Sequence, residues 1–170
     1  MRVLALLPLL FVASCGDGTA ENKTTTAAAT PSAGQWELTS QVARFRQADQ
    51  GRASIDTPVG TRATQSLCVA ASGRLPTEMF SGEGFTCSFG NYYIRNGHAG
   101  VTLSCRREGL TGEIPMTVDG TFTADSITLH RNLRTALVGD GDVEIDSDIT
   151  GRRTGACTPQ PPASEGQNRQ

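Results

Sequence analysis

The chain has 170 residues, enough for one domain behind targeting and linker segments. Its 15 basic and 17 acidic side chains leave a formal net charge of −2, which argues against a general nucleic-acid binder. Few aromatics and 19 glycines suit a turn-rich β protein with a modest core.

Arg2 gives a short basic start, and Val3 to Val12 is apolar apart from Pro8. A membrane span needs about 20 apolar residues, so this run reads as a secretory signal rather than a permanent helix. Val12-Ala13-Ser14-Cys15 resembles the lipobox, which takes an apolar residue, two small ones and then cysteine. Residues 1–14 are therefore expected to be a cleaved lipoprotein signal, with Cys15 lipidated. Each acyl methylene adds about 0.8 kcal/mol, so several chains on one cysteine anchor firmly. Gly16 follows where an Asp would mark inner-membrane retention, which points to the outer membrane with the domain facing the periplasm.

Residues 16–33 hold no large apolar side chain and cannot repay the entropy of ordering. Residues 15–33 are thus read as the lipidated cysteine and a flexible tether. Residues 34–157 form the expected folded domain, and 158–170, polar and Pro-rich, a disordered tail.

Within the domain, period-two alternation dominates. Trp36, Leu38 and Val42 share one face of a first strand, and 62–69 reads as a second. A loop covers 47–60, and a connection with one helical turn near Pro76 to Phe80 covers 72–84. Phe85, Cys87, Phe89, Asn91 and Tyr93 alternate along a third strand, and Val101, Leu103 and Cys105 along a fourth. Asn96-Gly97 between them is a hairpin signal. Two registers are open. A two-residue turn sets Cys87 opposite Arg106. A three-residue loop with Gly97 left-handed sets Cys87 opposite Cys105 and Phe89 opposite Leu103, and is preferred because apolar faces match as well. Ile114, Met116, Val118, Gly120 and Phe122 give the next strand, Ile127, Leu129 and Leu133 another, and 142–153 the last. The expected fold is all-β: an antiparallel meander of about seven strands, curled into a sheet or small barrel.

Four cysteines besides Cys15 imply two disulfides in an exported domain. The preferred register pairs Cys87 with Cys105 and leaves Cys68 with Cys157. A four-thiolate metal site is disfavoured because no CxxC pair occurs.

Several segments resemble the exported bacterial family known as domain of unknown function 3617. Gly34-Gln35-Trp36-Glu37 resembles its G-x-W-E opening, and Thr64-Gln65-Ser66-Leu67-Cys68-Val69 its T-x-x-x-C. Cys87 and Cys105 fit its middle. Thr121 to Ser126 is similar to its turn, with Ala124 in place of glycine. Gly151-Arg152-Arg153-Thr154-Gly155-Ala156-Cys157 resembles its closing G-R-x-x-G-x-C. The resemblance implies an exported, disulfide-bearing β domain and no particular activity.

Asp140, Asp142, Glu144, Asp146 and Asp148 occupy alternate positions and would line one face of the last strand. That face is a candidate acidic interaction surface for a basic partner or a cation, although the calcium loop fails because Ile145 stands where glycine is required. The simpler reading is a solvated face that blocks edge pairing, partly neutralised by His130 and Arg134. Neither His98 nor His130 has metal-ligand spacing, and no nucleophile elbow, phosphate loop or HExxH occurs. Arg106, Arg107, Arg152 and Arg153 would form a basic patch if their strands were neighbours. Trp36 is expected to anchor the core.

The sequence thus suggests a non-catalytic envelope lipoprotein without cofactor or metal. Two roles are open: an interaction or structural module for another envelope protein, or a carrier of a small apolar ligand within the curved sheet. Large inward side chains favour the first.

Overall fold

The computed structural model describes residues 30–71, 74–139 and 141–157. Cys15, the expected signal, most of the tether, Asp140 and the tail from residue 158 lie outside them. Eight strands occur among the described residues: β1 (Gly34–Gln47), β2 (Arg62–Val69), β3 (Thr86–Arg95), β4 (His98–Arg106), β5 (Gly112–Phe122), β6 (Ser126–Arg134), β7 (Ala136–Leu137) and β8 (Val143–Gly155). A single helical turn, α1 (Glu78–Ser81), lies between β2 and β3. No helix among these residues is long and apolar enough to cross a membrane.

Seven strands form one antiparallel sheet in the order β2-β1-β8-β6-β5-β4-β3, curled into a half-barrel, and the two-residue β7 pairs with β5. β3 to β6 follow one another as a meander. The first and last long strands, β1 and β8, then pair along nearly their whole length. This places the chain's end strands in the middle of the sheet and leaves β2 and β3 as the edges.

Alternation decides which side chains enter the core. Trp36, Leu38, Val101, Ile114, Met116, Val118, Leu129 and Ile149 all point to the concave side, where α1 adds Met79 and Phe80. Trp36 is wholly buried, and its indole N–H donates to the Ser32 carbonyl at 2.9 Å, so its polar atom is satisfied as well. Gly151 is the small residue this packing needs: a Cβ there would lie 2.3 Å from Leu38 Cδ2 and 2.7 Å from Ile127 Cγ1.

Of three register irregularities among the described strands, two change which side chains the core receives. The first, between Phe89 and Asn91, changes the expected β3–β4 hairpin. Arg95 pairs with His98, so the turn is the two-residue Asn96-Gly97 with both φ angles positive (53° and 78°), not the three-residue loop expected. The extra residue at Gly90 shifts the register by one, and Cys87 still meets Cys105 and Phe89 still meets Leu103. It also ends the expected alternation: Tyr92 and Ile94 pack on the core, while Tyr93 is 48% exposed. The second bulge falls between Val42 and Arg44 in β1. It keeps Val42 and Phe45 on the apolar side and turns Arg44 and Arg46 to the convex side.

The disulfides are Cys87–Cys105, across β3 and β4, and Cys68–Cys157, with Cα atoms 5.4 Å apart. The second joins β2 to the residue just beyond the end of β8, and β1 runs between these strands.

Candidate functional site

The convex side of β8 is not the open acidic surface expected. β8 is a central strand, so its outward carboxylates are flanked by β1 and β6. Glu144 and Asp146 are only 5% and 8% exposed. Arg46 grips Glu144 Oε2 through both Nε and Nη2. Arg134 Nη2 reaches Glu144 Oε1 at 3.0 Å, and Asn132 bridges Glu144 and Asp146 at 3.2 and 2.6 Å. Arg44 Nε donates to Asp146 Oδ2 at 2.6 Å. These donors set the ionisation of the acids. Hydrogen bonds from Arg46 and Asn132, with the charges of Arg134 and Arg46, bring Glu144 down to about 2. Burial alone would raise Asp146, but the hydrogen bonds from Asn132 and Arg44 outweigh it and its pKa falls. The same contact with Asp146 raises Arg44.

The other acids of the stretch are separated from this network. Asp142 accepts from Thr135 Oγ1 and the Leu137 N–H at 2.9 and 3.0 Å, which organises the turn. Asp148 is exposed and pairs with His130 at 3.1 Å. Asp49 caps the backbone N–H groups of Asp142 and Gly141, and these bonds hold its carboxyl below the usual range. Among the described residues, no group of three or more His, Cys, Asp or Glu side chains is placed to hold a metal ion. Nor do the four arginines form one patch. β6 and β5 separate β8, which carries Arg152 and Arg153, from β4. Arg107 lies over the Phe85 ring at 5.3 Å, while Arg153 donates to the Ala33 carbonyl.

The concave side holds a different arrangement. A cleft of about 200 Å³ opens between β1, β2 and α1. Leu38, Val42, Met79, Phe85 and Ile149 give it apolar walls, and Ala63 and Gln65 of edge strand β2 line it too. Trp36 is not among its lining residues. One charged side chain reaches it from the sheet, Arg131 of β6. Arg131 lies in phase with Ile127, Leu129 and Leu133 and so points inward with them. Its Nη1 donates to the carbonyls of Phe80 (3.4 Å) and Ser81 (2.5 Å), and its Nη2 to Ser147 Oγ (3.3 Å). The guanidinium therefore ties the end of α1 to the sheet. Its Nε is buried with no hydrogen-bond partner. Burial lowers its pKa to about 10. No carboxylate forms an ion pair with it among the described residues.

Sequence reading missed Arg131, though its signal was present: an arginine at an apolar phase of a strand. Arg44 and Arg46 were missed for another reason. The bulge that turns them outward, and the pairing of the first strand with the last, have no local marker.

The model of the family described as "Protein of unknown function (DUF3617)" matches residues 31–157. No curated protein and no solved structure matches the chain.

Proposed function

The chain belongs to this family of proteins of unknown function, DUF3617, and from that premise we propose that it is a non-catalytic carrier of a small, largely apolar ligand. In this reading Cys15 bears the lipid that tethers the domain to the outer membrane, facing the periplasm, and the concave cleft holds the cargo. The observation that carries it is the cleft itself: an apolar wall on a disulfide-braced sheet, serine, threonine and glutamine side chains around it, and one cation, Arg131, reaching in from the sheet. Sites for small molecules commonly combine apolar lining with a few placed polar groups. The alternative role, an acidic docking face, is weakened because Glu144 and Asp146 already have arginine partners from this chain.

Native mass spectrometry of the chain, exported and purified without reductant, tests the reading. A small organic adduct that survives gentle ionisation, leaves on denaturation and is lost in Ala63→Trp supports it. A bare protein that crosslinks to one envelope protein through the convex side would replace it with the interaction role. The anchor is tested separately: fatty-acid labelling of the chain should disappear in Cys15→Ala.

A further inference from the structure

We infer that the cleft selects a short amphipathic anion, with a carboxylate-type head on Arg131 and its tail against the apolar wall. This inference rests on the carrier reading and specifies its ligand.

The first ground is charge. Arg131 is a cation drawn out of water, and its partners are two backbone carbonyls and a hydroxyl, all neutral. Removing a charge from water is costly unless an opposite charge or a full set of hydrogen bonds replaces the solvent. The lowered pKa reflects the same burial. The carboxylate among the cleft's lining residues, Glu83, is exposed and makes no ion pair with Arg131.

The second ground is geometry. A guanidinium carries five N–H donors in a planar fork. Nη1 is occupied by Phe80 and Ser81, Nη2 has one partner, and Nε has none. Nε–H and one Nη2 hydrogen lie on the same edge of the group, the edge that receives a carboxylate through two parallel bonds. The Nη2 hydrogen is available once Ser147 is served by the other one, and Nε–H, enclosed in the unliganded chain, completes the pair only as the surrounding side chains give way to the carboxylate.

The third ground is size and lining. At about 200 Å³ the cleft lies below the ~300–1,000 Å³ typical of sites for drug-sized ligands, so the tail must be short. Leu38, Val42, Met79, Phe85 and Ile149 suit a hydrocarbon. Cationic heads are disfavoured by Arg131, and neutral heads leave its charge uncompensated.

Calorimetric titration of the exported, oxidised chain, prepared without lipid anchor or detergent, with hexanoate, hexanol and hexylamine tests this. Hexanoate should bind at least tenfold tighter than hexanol, with hexylamine weakest. Arg131→Gln should erase the difference between hexanoate and hexanol. Glu83→Gln, at an exposed position, should strengthen hexanoate severalfold and leave hexanol unchanged, a readout that stands even if Arg131→Gln does not fold. Equal binding of all three probes, or tighter binding of the amine, overturns the anion inference and leaves the carrier reading intact. Failure of all three to bind at millimolar concentration overturns both.

Discussion

The two sides of β6 and β8 treat the same side chain in opposite ways. On the convex side Arg44, Arg46 and Arg134 surround Glu144 and Asp146 in a closed network. On the concave side Arg131 stands among apolar residues with neutral partners and a bare Nε. A guanidinium whose donors meet carboxylates of its own chain contributes to the fold. One that lines a cleft with an unmet donor lacks that compensation, and the proposed ligand would supply it. The comparison thus moves the proposed site from the acidic stretch, conspicuous in the sequence, to an arginine that composition does not mark.

The largest expected effect removes the support common to both sides. β1 carries Arg44 and Arg46 for one and Leu38 and Val42 for the other, and Cys68–Cys157 joins the strands on either side of it. In the chain-entropy description that bridge is worth about 4.6 kcal/mol, and Cys87–Cys105 about 3 kcal/mol. Together they rival the ~5–15 kcal/mol stability of a whole domain. Cys68→Ser with Cys157→Ser should lower Tm more than Cys87→Ser with Cys105→Ser, and strong reductant more than either. A domain that keeps its Tm in reductant would contradict this.

The next effect separates the sides. Glu144→Ala leaves Arg46 and Arg134 facing each other without their shared carboxylate. It should lower Tm clearly while the protein that remains folded binds hexanoate as before. A matching loss of hexanoate affinity would show that the sides are coupled.

Acid should act through the same network. Glu144, Asp146 and Asp49 all have folded pKa values below their ordinary ones. Such groups contribute stability above about pH 4, where the unfolded carboxylates are ionised, and that contribution is lost as pH falls toward the folded value of about 2 for Glu144. Tm should therefore fall as pH drops from about 5 to 2, and the fall should be shallower in Glu144→Gln. An equal slope in the variant would mean that other carboxylates dominate.

The smallest stability effect is expected on the concave side. Arg131→Gln loses the bonds to Phe80, Ser81 and Ser147 but also relieves a desolvated charge, for a net change of about 1 kcal/mol. Its effect on ligand preference should be far larger than its effect on Tm.

Much of the architecture was legible because alternation is a local signal. The apolar faces of β5 and β8 follow directly from period-two patterning. The cysteine pairing was legible too, but through a compensation: a two-residue turn in place of three, corrected by the bulge at Gly90. Bulges escape sequence reading because one extra residue costs little locally and reverses every side chain beyond it. Tyr92 and Tyr93 exchanged roles for that reason, and Arg44 and Arg46 turned together to the convex side. The acidic stretch was legible in part: His130 and Arg134 do meet Asp148 and Glu144 as expected, but the burial of Glu144 and Asp146 depends on β1, which comes from the other end of the chain.

The most direct measurement follows the arginine Nε–H resonances of the oxidised chain by ¹H–¹⁵N NMR during titration with hexanoate. The predicted result is a saturable downfield shift of Arg131 Nε–H alone, with Arg44, Arg46 and Arg134 unmoved. Shifts at the convex arginines with Arg131 silent would contradict the assignment of the site to the concave cleft.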